Sequence, residues 1–156
     1  MKVFFLILIF LNNSYLFASD YILEFQANVK IIKEFDISEK EKFRSYLLQG
    51  TFTDEYGNYG KFEGVVISDV KGGKLIKLEG TAKTVYSNGE VLYLKSFRKE
   101  SDFDAGVANA KIIGSSNKYK PLIGTKCMQS VRYFEDTIFG LQKCNLLAGL
   151  EKLFKN

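Results

Sequence analysis

Apolar and polar residues alternate with a period of two through most of the chain, from Tyr21 to about Thr137. Such alternation places successive side chains on opposite faces of a β-strand, so it predicts strands with one buried face. Glycines and polar clusters interrupt the alternation at short intervals. A helical period is found only near the end of the chain. The pattern therefore predicts an all-β fold followed by one helix.

The interruptions locate the turns. The first strand is predicted over residues 21–33, and residues 36–42, where nothing apolar repeats at helical spacing, are interpreted as a loop. Reversals are predicted at residues 54–58, 71–73 and 87–89. The last of these is the clearest hairpin signal, because Asn88-Gly89 tolerates the positive φ angles of a type I′ turn. The strands on either side of it are expected to pair antiparallel.

Small residues point to the architecture. Gly80, Ala82 and Thr84 alternate on one strand, and within residues 103–113 the stretch AGVANA at residues 105–110 is built almost entirely of Ala, Gly and Val. Small side chains suit the interior of a closed sheet, where side chains from several strands converge. Eight candidate strands joined by short turns predict an antiparallel up-and-down barrel of about eight strands, with a two-layer sandwich as the alternative.

The first eighteen residues have a different pattern. Lys2 precedes an apolar run over residues 3–11, and a polar segment ends at Ala18. This layout predicts a secretory signal peptide over residues 1–18, cleaved after Ala18. The remaining residues, 19–156, are predicted to form a single β-barrel domain that is periplasmic or secreted. They contain no apolar segment approaching the roughly 20 residues of a spanning helix, so we expect no membrane span after cleavage.

The two cysteines are predicted to form a disulfide, because an even number of cysteines in an exported chain is most simply explained that way. If Cys127 and Cys144 oppose each other in a hairpin, the turn is centred on Glu135 and Asp136, whose polarity suits a turn. After the hairpin, Asn145 is predicted to cap the terminal helix. Its apolar face would contain Leu146, Leu147, Leu150, Leu153 and Phe154.

Composition removes several classes of function. The formal net charge is +4, without a clustered basic face, so we expect no nucleic-acid binding. The chain has no histidine and no tryptophan, which are the commonest residues for proton transfer near neutral pH and for stacking on sugars. We nominate no catalytic residue, no metal site and no cofactor. The oligomeric state is left open.

Three groups of residues are candidate sites. Glu100, Asp102 and Asp104 could gather around calcium, but a solvated strand end is the preferred interpretation. Asp54 and Glu55 are adjacent, so they point to opposite faces of a strand and are interpreted as turn residues. Aromatic residues could line a ligand cavity or simply pack the core: Tyr46, Phe52, Phe62, Tyr86, Tyr93 and Phe97.

Two glycine-rich segments carry a family resemblance. The segments YGKFEG at residues 59–64 and NKYKPLIG at residues 117–124 resemble the turns and strands of allene-oxide-cyclase-like barrels, which belong with the lipocalin-like small β-barrels. The resemblance covers residues 59–144. It implies an eight-stranded antiparallel barrel, often with an apolar cavity, in a family whose exported members commonly have no assigned activity. It assigns no catalytic residue.

The leading hypothesis is therefore an exported barrel that binds a small apolar or amphipathic ligand without catalysing a reaction. One alternative is an isomerase or cyclase that constrains a lipid-derived substrate in the barrel cavity. Another is an envelope module that interacts with other proteins.

Overall fold

Eight antiparallel strands form a closed up-and-down barrel in the computed structural model, which describes residues 19–155. Each strand pairs with the next, and the last pairs with the first. The strands are β1 (Ser19–Ser38), β2 (Glu41–Asp54), β3 (Tyr59–Lys71), β4 (Lys74–Tyr86), β5 (Val91–Asp102), β6 (Ala105–Ser115), β7 (Lys126–Phe134) and β8 (Thr137–Leu146). The predicted barrel is confirmed. The predicted signal peptide lies outside the described residues.

The first hairpin is longer than the sequence predicted. Residues 36–42 are not a loop, because β1 continues to Ser38 and β2 begins at Glu41. Across this hairpin Asp36 opposes Lys42, whose Nζ atom lies 2.9 Å from an Asp36 carboxylate oxygen. β2 also pairs with β3 as far as Glu41 opposite Lys71, so this hairpin belongs to the barrel sheet, and the pairing of β1 with β8 ends at Asn28. Within residues 36–42 only Ile37 is apolar, which leaves too little alternation for the sequence to predict a strand.

The prediction of a C-terminal helix that begins at Asn145 was also wrong. β8 continues to Leu146, and Asn145 pairs with Asp20 in the sheet instead of capping a helix. Only Leu150–Leu153 form a short 3-10 helix, preceded by Gly149 at a φ of 89°. Pairing with β1 therefore outweighs the helical spacing of the leucines. The apolar residues still reach the barrel in part, since Phe154 is 1% exposed whereas Leu147 is 70% exposed.

A second 3-10 helix was not predicted. It spans Asn117–Leu122 between β6 and β7 and contains Pro121. Its Tyr119 and Leu122 side chains are fully buried. Both 3-10 helices therefore bury side chains in the same core cluster, at one end of the barrel.

The register of the last hairpin confirms the predicted disulfide. Cys127 directly opposes Cys144, their Cα atoms are 4.0 Å apart, and the two sulfurs are bonded. The pairing continues to the end of the hairpin, where Glu135 and Asp136 form the predicted turn. Glu135 adopts a positive φ of 55° there.

The barrel interior contains two groups of buried side chains. The disulfide end is defined here by Tyr21, Asp54, Tyr86, Tyr119, Phe154 and the Cys127–Cys144 disulfide, which lie beneath the two 3-10 helices. The arginine end is defined by the buried Tyr46, Ser68 and Arg98 together with the half-buried Tyr133, packed beside Val66, Val70, Leu75 and Leu78. Within residues 19–155, no helix has the length and apolar character needed to cross a bilayer.

Candidate ligand-binding cavity

A cavity of about 100 Å³ lies inside the barrel, and its lining extends from the disulfide end to the arginine end. Most of its wall is apolar and includes Phe25, Leu48, Phe52, Phe62 and Leu94. A few polar groups interrupt that wall, among them Ser96, Arg98, Gln129, Tyr133 and Gln142. An apolar cavity with a small number of convergent polar groups is the usual composition of a small-molecule site.

Glycine and alanine residues on β3 and β4 leave room for this cavity because they have no side chain or only a small one. Gly64 opposes Ala82 across the two strands, and Val66 opposes Gly80. A Cβ atom at Gly80 would lie 3.0 Å from a Val66 methyl group, so there is little room for a larger residue without displacement of its neighbour. The small residues that alternate along β4, Gly80, Ala82 and Thr84, therefore line the cavity wall.

Other glycines position the aromatic rings of the wall. The Phe25 ring lies against Gly140, where an added Cβ atom would be 2.1 Å from the ring. The Phe52 ring lies against Gly60 in the same way, at 2.6 Å. A side chain at either glycine would displace its ring, so these two contacts fix part of the cavity shape.

The six aromatic residues proposed from the sequence have three different placements. Phe52, Phe62 and Tyr86 line the cavity. Tyr46 is buried at the arginine end, outside the immediate lining. The prediction was wrong for Tyr93 and Phe97. Both lie on the outer face of β5, where Tyr93 is 40% exposed. Both faces of β5 carry apolar residues, so the alternation did not show which of them faces inward.

A hydrogen-bonded network closes the disulfide end. The Phe154 ring stacks on Tyr21 with their centroids 3.9 Å apart. The Tyr21 hydroxyl donates to Oδ2 of Asp54 at 2.9 Å, and the Tyr86 hydroxyl, also 2.9 Å away, must then donate to Tyr21. Burial raises the pKa of both tyrosines, so the two hydroxyls keep their protons at neutral pH.

Asp54 links this network to the β2–β3 turn. Its Oδ1 atom accepts hydrogen bonds from the backbone N–H groups of Tyr56 and Asn58, and its Oδ2 atom accepts a third from the Asn58 side chain at 2.8 Å. The same Asn58 amide donates to the carbonyl oxygen of Phe154. Glu55 points the other way and accepts from the backbone N–H of Ile22. Every polar side chain of this network has a partner.

A chain of amide hydrogen bonds runs along the opposite wall. The Ser96 hydroxyl donates to Gln129 at 2.9 Å, and Gln129 donates to Gln142 at 2.8 Å. Ser96 and Gln129 belong to β5 and β7, which are separated by β6, and they can meet because Ala108 and Ala110 carry no larger side chain. These three side chains hydrogen-bond to one another, so the polar part of this wall is confined to the row that they form.

The arginine end is organised by Arg98, which is 2% exposed. Its Nε atom donates to the Ser101 hydroxyl at 2.8 Å. Its Nη2 atom donates to the carbonyl oxygens of Asp102, Phe103 and Ala105 in the β5–β6 turn. The guanidinium lies against Gly106, where a Cβ atom would be 2.7 Å from Nε. A glycine at this position is therefore required for the present placement of the guanidinium.

Arg98 and its neighbours were missed in the sequence analysis. The signal was present, because Leu92, Leu94, Ser96 and Arg98 share one phase of β5 and a charged residue stands in phase with buried leucines. The acidic residues near the β5–β6 turn are not arranged as a metal site. Within residues 19–155 no group of three or more His, Cys, Asp or Glu side chains is placed to hold a metal ion, and this includes Glu100, Asp102 and Asp104.

No family model matches this chain, and neither a curated protein nor a solved structure matches it. The functional argument therefore depends on the geometry of the interior.

Proposed function

We propose that this protein is an exported barrel that binds one small apolar or amphipathic ligand in its interior without catalysing a reaction. The observation that carries the proposal is the internal cavity of about 100 Å³ with a largely apolar wall. An apolar cavity of about 150 Å³ in another protein accommodates benzene, so the expected ligand is no larger than a single ring or a short chain. Typical drug-sized sites are several times larger.

Export is supported by two observations. The sequence of residues 1–18 predicts a signal peptide. The Cys127–Cys144 disulfide fits an oxidising compartment, because cytosolic proteins rarely keep such bonds. We propose a periplasmic or secreted location on these grounds. The likeness to allene-oxide-cyclase-like barrels remains part of the proposal as well, since it agrees with an eight-stranded barrel that encloses a cavity.

The composition of the cavity wall favours binding over catalysis. General acid–base chemistry is most efficient with a group whose pKa lies near the working pH. The lining residues include no carboxylate, lysine or histidine within the described part of the chain, and burial raises the pKa of Tyr21, Tyr86 and Tyr133. These hydroxyls can orient a ligand but cannot act as bases near neutral pH.

Native mass spectrometry of the mature protein, purified from its own exported fraction, tests the proposal. We expect a reproducible additional mass that corresponds to a small ligand and is released on denaturation. Ala82→Leu, which adds a larger side chain to the cavity wall, should abolish the additional mass. The matched control is Val65→Leu on the exposed face of the neighbouring strand, which should retain it. A consistently ligand-free protein would contradict the proposal and would favour a structural or protein-interaction role.

A further inference from the structure

Arg98 is a buried cation that forms no ion pair within residues 19–155, and the carboxylates of Asp102 and Asp104 act on it only at longer range. It is nevertheless one of the least exposed side chains. Arg44, at the same end of the barrel, pairs directly with Glu34. Buried charges are normally paired with an opposite charge, because their removal from water is costly. The charge on Arg98 therefore calls for an anion.

One guanidinium nitrogen is available for that anion. The hydrogen bonds of Arg98 to the β5–β6 turn use Nε and Nη2, which leaves Nη1 without a partner in the described part of the chain. Arg98 also lines the cavity. Arg98 therefore contacts the β5–β6 turn through Nε and Nη2, while Nη1 remains available as a donor.

Two buried hydroxyl groups beside Arg98 also have no partner. The Oη atom of Tyr46 and the Oγ atom of Ser68 are buried without a hydrogen bond, and both residues are 2% exposed. In the sheet, Leu78 opposes Ser68 on one side and Arg98 on the other, so these two buried side chains lie close together. Burial raises the pKa of Tyr46, and interactions with Tyr133, Ser68 and Arg98 partly offset that rise. Unsatisfied buried hydroxyls are rare because each costs about 1–3 kcal/mol.

We infer that the arginine end is a binding site for the carboxylate of a small monocarboxylic acid whose apolar body occupies the cavity. The carboxylate accepts a hydrogen bond from Nη1 of Arg98 at the cavity wall and, beyond the wall, from the hydroxyl groups of Tyr46 and Ser68, which do not line the cavity itself. The apolar body extends toward Leu48 and Phe52, which line the cavity. This inference rests on the proposed ligand-binding function and specifies the chemical class of the ligand.

The cavity volume limits the length of that acid. A cavity of about 100 Å³ suits a short aliphatic or single-ring body and excludes an extended long-chain fatty acid. A carboxylate has the negative charge that matches the positive charge of Arg98, and it can accept hydrogen bonds from several donors at once. An alcohol lacks that charge.

Isothermal titration of the disulfide-intact mature protein with butyrate, hexanoate and octanoate tests the inference, with the uncharged amide of each acid as its control. We expect at least one acid to bind about tenfold more tightly than its amide, because hydrogen bonds to charged groups are the stronger ones. Arg98→Met should remove this preference and leave the amide affinity within about twofold. Arg132→Met, which removes an exposed arginine, should leave the preference unchanged.

Tyr46→Phe keeps the test decisive if Arg98→Met does not fold, since it leaves the guanidinium and its turn contacts in place. We expect it to weaken acid binding about threefold without affecting the amide. If acids and amides bind the wild-type protein equally, or if Arg98→Met retains the preference, the carboxylate site is refuted and the proposed ligand-binding function stands. If no acid or amide binds, the carboxylate site is refuted, and a ligand-free native mass spectrum in addition would show that the cavity is a packing void and that both proposals fail.

Discussion

The two ends of the barrel differ in how their buried polar side chains are hydrogen-bonded. At the disulfide end, Tyr21, Tyr86, Asp54 and Asn58 satisfy one another, and the Phe154 ring covers them. At the arginine end, the buried side chains are just as inaccessible to water, yet the hydroxyl of Tyr46 is unpaired. Burial is therefore not what distinguishes the two ends. The network around Asp54 differs from the group around Arg98 because all of its polar side chains are hydrogen-bonded; outside that network, the Ser115 hydroxyl on β6 is also buried without a partner.

This difference separates a structural network from a candidate site. A network whose members satisfy each other gains nothing from a ligand, and its main effect is on stability. A group of buried donors without acceptors is destabilising in the absence of a ligand and gains hydrogen bonds when an acceptor arrives. We therefore expect substitutions at the disulfide end to lower stability and substitutions at the arginine end to affect binding.

The largest effect is expected for Phe154→Ala at the disulfide end. The Phe154 side chain is 1% exposed and stacks on Tyr21, so its removal leaves a cavity beneath the C-terminal 3-10 helix. We expect the free energy of unfolding to fall by about 4 kcal/mol, measured by urea denaturation. Phe134→Ala is the matched control, since Phe134 is 67% exposed and its loss should change stability by less than about 0.5 kcal/mol. Equal effects of the two changes would show that the terminal segment does not close the barrel.

The disulfide should have the next largest effect. It closes a loop with a sequence separation of 17 residues, for which chain entropy predicts a contribution of about 3 kcal/mol. Urea denaturation with and without reductant measures this contribution. The Cys127→Ala/Cys144→Ala variant should match the reduced wild-type protein and should not respond to reductant. A reductant effect that persists in the double variant would have to arise elsewhere.

The sequence predicted the barrel well because the barrel depends on signals that are local or regular. Period-two alternation gave the strands, Asn88-Gly89 gave a turn, and the cysteine pair gave the register of the last hairpin. The errors occurred where pairing with a distant strand decides the local structure. Asn145 lies in β8 because β1 extends far enough to pair with it, and no neighbouring residue indicates that.

The site was harder to predict, for a different physical reason. The unpaired state of the Tyr46 and Ser68 hydroxyls depends on which groups meet across β2, β3 and β7, and this is a property of the closed barrel. Arg98 alone left a signal along the chain, as a charge in phase with Leu92 and Leu94. A charged residue at an inward position of a strand is therefore a useful indicator of an interior site.

A pair of tyrosine substitutions compares the two ends most directly. Tyr21→Phe removes a hydroxyl that donates to Asp54, and we expect a loss of about 2 kcal/mol. Tyr46→Phe removes a hydroxyl without a partner, and the ligand-free protein should keep its stability or gain up to about 1 kcal/mol. Thermal and urea unfolding of both variants provide the measurement. A loss of similar size in both would mean that Tyr46 is satisfied in solution, and the distinction between the ends would fail.

The smallest effect concerns pH and the second arginine of the arginine end. Hydrogen bonds from Lys42 and then Arg44 lower the pKa of Glu34 below its ordinary value near 4.5. A carboxyl group with a lowered folded-state pKa stabilises the protein above its unfolded pKa, and that stabilisation is lost as the pH falls through the folded value. Glu34→Gln should therefore reduce the loss of stability on acidification below about pH 4.5, whereas Glu39→Gln at the hairpin turn should not.

Carboxyl-detected NMR titration of Glu34 checks the same point at the residue itself. Lys42 also lowers this pKa, so the titration is repeated in Arg44→Met; a pKa below the ordinary range that rises in this variant would show that Glu34 keeps Arg44 occupied, so that Arg98 is the arginine available to a ligand in the interior. Titration at the ordinary value would show that Glu34 does not hold Arg44. Arg44 would then be free to compete for the same carboxylate, and Arg98→Met alone would no longer be expected to abolish acid binding.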